Sequence, residues 1–333
     1  MNDTTPIPIQ IPIEGPIRPG DLLTRDQIRA LTHRTDLGGW LTVLWTWTTI
    51  AAIFAMLAIW PNVFTFVLAV ILLGGRQLAL FIVAHDAAHR TLFRTRRLND
   101  VVGDWLGARL IFNDVRRYRE HHMRHHAHTG TDGDPDLSLV RPFPTTRRSV
   151  AKRFLRDLSG QTGVRRLTAQ FLMDIGVFGY TVAAEVERLP RAGRTTMDYV
   201  LAGWRNFGPS VLGQLGLLAV LAAFGHAWLY AAWALAYMTT FSLYVRIRSM
   251  AEHACMEMSP HPLRNTRTTH AGLLARMTLA PLNVNYHREH HLMASVPWYR
   301  LPALQRALRE RGLGRSEPLP GYADVLRLVG SGG

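Results

Sequence analysis

The stretch NVFTFVLAVILLGGRQLALFIVAHDAAH, residues 62–89, decides how this chain reads. Its first part, Asn62 to Ala84, carries a single charge, Arg76. It is long enough to cross a bilayer as a helix, which takes about 20 mostly apolar residues. Its end is His85-Asp-Ala-Ala-His89. Histidines four apart share one face of a continuing helix. Neutral imidazole is a first-rank ligand for iron, copper, nickel and zinc. A membrane span that runs directly into a histidine pair therefore suggests a metal site at the membrane surface.

Two further clusters repeat the signal: His122-Met-Arg-His125-His126 and His287-Arg-Glu-His290-His291. His122 and His125 are three apart and face together. His126 lies about 100° around the helix from His125, so it can reach a second metal. The third cluster has the same spacing. Eight imidazoles exceed the six places of an octahedral ion, so two metals are implied. Imidazole-rich sites with open positions suit iron that must bind O₂, whereas structural zinc prefers four closed ligands, often with Cys.

Charge is segregated along the chain. Between Asp36 and Asp86 only Arg76 is charged, and from Asn206 to Val245 nothing is. Apolar residues make up 48% of the 333, and the mean hydropathy is near zero because the remainder is densely charged. The sequence predicts an all-α integral membrane fold. Four transmembrane helices, about 40–60, 62–84, 207–224 and 226–245, form two hairpins under a cytoplasmic helical cap that carries the histidine clusters. Trp60-Pro61-Asn62 and Gly225-His226 read as the hairpin turns. As one helix the 206–245 run would be about 60 Å long, about twice the hydrocarbon thickness.

Neither hairpin tip carries Lys or Arg, whereas Arg18, Arg25, Arg29 and Arg34, the 90–205 segment and the tail after Arg246 are rich in Arg. The positive-inside rule puts both termini and all three clusters on the cytoplasmic side. The net charge of +14 then fits a basic face beside anionic lipid. Nucleic acid is not expected as a partner, since a soluble binder of it has no need of long charge-free runs. Cys255 is the only cysteine, which excludes an intrachain disulfide and suits a reducing compartment. Residues 1–38, with Pro6, Pro8, Pro12, Pro16 and Pro19, read as an extended cytoplasmic segment and not as a signal peptide. The main domain is 39–310, and 311–333 reads as a tail.

Taken in order and with the spans between them, the three clusters resemble the histidine boxes of the integral-membrane fatty acid desaturase/hydroxylase superfamily. The resemblance runs from about Trp40 to Leu304. It includes Asp134-Pro135-Asp136 after the second box, Arg248-Ser-Met-Ala-Glu252-His253 after the last apolar run, and Asn283-Val-Asn285-Tyr before the third box. It implies two irons held by His85, His89, His122, His125, His126, His287, His290 and His291, with His253 as a ninth ligand. Some members hold a water near iron through an Asn at the position of Ser249, where this chain departs from them. The resemblance also implies O₂ as co-substrate and hydrogen abstraction from an unactivated C–H bond. A second abstraction gives an alkene, and oxygen transfer gives an alcohol.

The expected activity is an O₂-dependent acyl-lipid desaturase. The alternative is a hydroxylase or ketolase acting on an acyl chain, carotenoid or hydrocarbon. A zinc hydrolase would leave half of these histidines without a role, and a membrane scaffold would give none of them one. The expected partners are the bilayer, a fatty acyl lipid linked to CoA, acyl carrier protein or phospholipid, and an external electron donor such as ferredoxin, rubredoxin or a cytochrome b5-like protein. A Cys-x-x-Cys pair and a G-x-G-x-x-G loop, which would signal a fused donor domain, do not occur. A bacterial inner membrane is the expected location.

Several residues have two readings. His121 and His128 adjoin the second box out of register and read first as neighbours of the site. His33, His226, His261 and His270 are isolated and read as ordinary histidines. Asp86, Asp134, Asp136, Glu252 and Glu289 can orient imidazoles through their second nitrogen, or serve as caps and solvated charges. Arg76 lies deep in a span and suggests a bundle-facing role, with snorkelling as the alternative. Trp40, Trp45, Trp47 and Trp60 suit an interfacial belt. The stretch from Arg147 to Arg166 suits an interfacial helix on anionic lipid, a dock for a donor or carrier, or a solvated face.

Overall fold

A computed structural model describes residues 17–313 and 319–332. The described chain is helical, with only isolated β-bridges besides. Two helices form its axis. Asp36–Ile59 is capped by Thr35, whose hydroxyl accepts from the Gly38 amide at 3.1 Å. Val63–Ala88 is capped by Asn62, whose side chain accepts from the Thr65 amide at 3.1 Å while Thr65 returns a bond to the Asn62 amide. Pro61 sits between them, where a helix cannot easily continue. With 24 and 26 residues these helices are about 36 and 39 Å long, enough to cross a bilayer.

The Val63–Ala88 helix is the centre of the packing. Ile50, Phe54 and Leu57 of its hairpin partner meet Leu73, Leu78, Trp233 and Phe241 around it. Gly74 allows the closest approach: a Cβ there would lie 2.2 Å from Thr240 Oγ1 and 2.8 Å from the Phe241 nitrogen. Gln77 is fully buried but donates to the Trp233 carbonyl at 2.8 Å, so its burial leaves that donor satisfied.

The second expected hairpin differs from expectation. The third run is the 16-residue helix Gly208–Ala223, preceded by Thr196–Asn206 at a bend of 43°. It is long enough to cross a bilayer only if the bent pair counts as one span. The fourth run, expected as one helix over 226–245, is broken at Thr239 into Leu229–Met238 and Thr240–His253. The physical reason lies in a packing partner. Gly163 abuts Met238 so closely that a Cβ would come within 2.3 Å of its carbonyl oxygen. Arg166 donates to the Tyr237 carbonyl at 2.8 Å and stacks over Tyr237 and Phe241. The break thus has its own hydrogen-bond partners. One arginine of the basic 147–166 stretch is spent inside the protein and not on a lipid or partner surface.

The chain ends also differ from expectation. Over residues 17–38 the chain is helical at Pro19–Leu22 and Arg25–Thr32, and Leu22, Leu23 and Leu31 pack on Leu292, Leu301 and Leu304 beside the third box. The rest of the expected extended segment, residues 1–16, lies outside the described residues. In the expected tail, the Tyr322–Val329 helix packs Val325 and Val329 against Met250, Ala251 and Ala254. Trp40, Trp45 and Trp60 are exposed along the first span, whereas Trp47 donates to the Leu106 carbonyl at 3.1 Å.

Candidate metal centre

Four helices deliver the histidines. His85 lies in the last turn of the Val63–Ala88 helix, and His89 is its C-terminal cap. The second box rides on Val115–His128, started by Asp114, whose carboxylate accepts from the amides of Arg116 and Arg117 at 2.9 Å each. The third box forms the six-residue helix His287–Leu292. His253 is the last residue of Thr240–His253.

The nine expected site residues all come together, in two groups. His85, His89, His122, His126 and His290 form one, and His125, His253, His287 and His291 form the other. Within each group the ligand atoms lie within 4.8 Å of one another. The groups adjoin, with the His126 and His291 rings stacked at 4.1 Å and those of His125 and His126 5.9 Å apart. One expectation is corrected. His122 shares a group with His126 and not with His125, just as His287 goes with His291 and not with His290. Residues four apart are offset by about 40° on a helix and those three apart by about 60°, so the four-apart pair converges better.

The ring nitrogens meet as ligands would. His253 and His287 approach through Nε2 at 2.8 Å, His126 and His290 at 3.1 Å, and His122 and His126 at 3.2 Å. Nε2 of His85, His89 and His291 is buried with no hydrogen-bond partner among the described residues. A buried polar atom without a partner is costly, and a cation at the focus of each group removes the cost. Burial drives His122, His126, His287, His290 and His291 well below the usual imidazole pKa and takes His253 down to about 3. These rings are neutral at physiological pH, the form that binds metal.

The other ring nitrogens are held by a surrounding shell. His85 Nδ1 meets Asp86 at 3.1 Å, and Asp86 also accepts from the Trp298 amide at 3.2 Å. His125 Nδ1 meets Asp134 at 2.8 Å, with Asp136 at 3.7 Å. Burial lowers the pKa of His125, but the two carboxylates outweigh it and the net shift is upward. His287 Nδ1 lies 3.4 Å from Glu252, which accepts from Arg248 at 2.6 Å. Burial pushes Glu252 up to about 7 even with Arg248 beside it. Of the five acids considered from sequence, Glu289 faces elsewhere and accepts from Thr268. His121 bonds Asp136 at 2.7 Å and stands outside both groups, as do exposed His128 and His33, His226, His261 and His270.

Some site residues escaped the sequence reading. The Asn265 carbonyl faces His253 Nδ1 at 3.3 Å, while the Asn265 side chain is anchored to the carbonyls of Thr129 and Ser259 at 2.8 Å each. Tyr118 stacks on His122 at 5.0 Å. Tyr118 sits four residues before His122, a spacing that would have flagged it. A cavity of about 90 Å³ opens beside His125, His253 and His287, walled by Phe81, Tyr118, Val140, Val182 and Val245. Asp134, Asp136, Arg248, Ser249 and Glu252 add polar lining beside the histidines.

Fold and site together define a class, a helical protein with long apolar spans whose ends converge on a double histidine site. The family described as Fatty acid desaturase matches residues 61–318. The chain belongs to that family and is an oxidoreductase. It is 28% identical to dihydrorhizobitoxine desaturase of Bradyrhizobium elkanii, over 78% of this chain and 69% of that protein. It is 23% identical to sn-1 oleoyl-lipid 12-desaturase of Anabaena variabilis, over 80% and 76%. It is 25% identical to beta-carotene ketolase of Paracoccus sp. (strain N81106 / MBIC 01143), over 68% and 74%.

Proposed function

We propose that the nine histidines bind two irons and that the protein is an O₂-dependent desaturase of a membrane-borne acyl lipid. The observation that carries this reading is the gathering of five and four imidazoles into adjoining groups, with no cysteine among them. When bound, two irons supply activation of O₂ for hydrogen abstraction. The chain's own contribution is positional. Asp86, Asp134 and Glu252 hold the Nδ1 side of His85, His125 and His287, which aims the opposite nitrogen at each focus. Phe81, Val140, Val182 and Val245 exclude water where the C–H bond would lie. Both electrons come from a separate carrier of the ferredoxin, rubredoxin or cytochrome b5 type. The site faces the cytoplasm of a bacterial inner membrane.

A hydroxylase or ketolase of the same chemistry is the second reading, favoured by the similarity to a beta-carotene ketolase. Mass spectrometry of lipids and polar metabolites from cells expressing the chain, beside a His290→Ala control, separates the two. A product two hydrogens lighter than its precursor supports the desaturase. A product carrying an added oxygen replaces it with the second reading. A change among polar metabolites alone removes the acyl lipid as substrate; the Bradyrhizobium relative is itself named for dihydrorhizobitoxine.

A further inference from the structure

The short helix Leu273–Met277, which leads into the third box, occupies an unexpected depth. Its end is pressed against Gly75. A Cβ on Gly75 would come 2.2 Å from the Met277 carbonyl oxygen and 2.8 Å from Thr278 Cα. Next to Gly75, Arg76 donates to the carbonyls of Met277 at 2.9 Å and Arg276 at 3.3 Å. Gly75 and Arg76 sit halfway along the Val63–Ala88 helix, about 18 Å from its Ala88 end. That level is well inside a hydrocarbon layer about 30 Å thick.

The outward face of this helix is apolar. Leu273 is 77% exposed, Leu274 72% and Met277 40%. Backbone at such a depth must find its hydrogen bonds within the protein. Here it does. Arg76 takes the terminal carbonyls, the amides of Thr278 and Ala280 reach the Ala275 carbonyl at 3.1 and 2.7 Å, and the Thr278 hydroxyl reaches the Leu274 carbonyl at 2.7 Å. Exposed Arg276 turns back, with Nε 3.2 Å from the Ala271 carbonyl, as a snorkelling side chain does.

We propose that residues 271–280 form a re-entrant wedge in the leaflet on the histidine side. Leu273, Leu274 and Met277 lie among phospholipid acyl chains, and Arg76 serves as the internal cap that lets the wedge sit there. The proposal rests on the reading that Val63–Ala88 crosses the bilayer. It moves this segment out of the cytoplasmic cap and makes the lipid a direct neighbour of the approach to His287.

The test is spin-label accessibility of the full chain in phosphatidylethanolamine/phosphatidylglycerol vesicles, using single cysteines in a Cys255→Ser background. Labels at Leu273→Cys and Leu274→Cys should collide readily with O₂, which partitions into lipid. They should collide several-fold less with a water-soluble nickel chelate than a label at exposed Asp132→Cys. Val67→Cys, on the outer face of the span, reports on the span itself. If positions 273 and 274 are as open to nickel as 132 while 67 is protected, the wedge is wrong and the span stands. If 67 is also open to nickel, the span reading fails and takes the wedge with it. Two positions, both highly exposed, guard against a folding defect in either variant.

Discussion

At the scale of single residues, His85, His125, His253 and His287 enter the site with their far nitrogens already committed. His125 illustrates how this is done. Its Nδ1 faces Asp134, and the Asp134 carboxylate also accepts from the Asp136 amide at 2.9 Å, so the acid is itself held. Asp134→Asn keeps the shape but weakens the acceptor. We expect metal affinity or turnover to fall by about 10- to 100-fold, the usual effect of losing such a partner. His290→Ala removes a direct nitrogen from the five-membered group and should abolish turnover. Metal content by elemental analysis, read beside product formation, distinguishes the two variants. An Asp134→Asn protein with unaltered metal content and turnover would show that the carboxylate does not orient His125.

At the scale of elements, the chain uses helix ends more than helix faces. The Val63–Ala88 and Thr240–His253 helices both finish in site histidines, so the position of a helix terminus sets the position of a nitrogen. The break at Thr239 belongs to the same logic. It lets the Leu229–Met238 helix pack around Gln77 while Thr240–His253 takes its own line past Gly74 to the site. A continuous helix could not do both. Topology is testable at this scale. A membrane-impermeant thiol reagent should label cysteines at positions 130 and 270 from one side and at 225 from the other. Labelling of all three from one side would show that residues 196–238 do not cross the membrane.

At the scale of the whole molecule, the metal centre and the fold depend on each other. Segments from residue 85 to residue 291 converge on it, and the Tyr322–Val329 helix and the 17–38 segment pack against two of the contributing helices. Bound metal therefore stabilises the assembled state by mass action, by about 4 kcal/mol per ion at a free concentration about 1,000 times Kd. Chelation should lower the melting temperature in detergent. The metal-free chain should also be acid-sensitive. His122, His126, His253 and His291 have pKa values below the 6.5 of an exposed ring, so at these positions the unfolded chain binds more protons once the pH drops under about 6.5. Their contribution is intact above that pH and is lost progressively as pH falls toward about 3, the value reached by His253. Thermal melts of chelated protein from about pH 8 to about pH 5 check this sign. A melting temperature that does not change with pH would contradict it.

Much of this was legible in the chain itself. Hydropathy runs and box spacing are local properties, so the first two spans, the helical class and the eight box histidines could be read from them, while His253 came from the resemblance to a known family. The acids that hold His85 and His125 were legible for the same reason, being near in sequence. Tertiary structure alone decided the rest. Whether residues 226–245 stay one helix depends on Gly163 and Arg166, far away in the chain. Whether Arg76 meets an acid, the lipid or a carbonyl depends on residues 276 and 277, two hundred positions on. The division of nine imidazoles into five and four depends on how four helix ends meet. A helical period says which side chains share a face, but only packing says what that face will see.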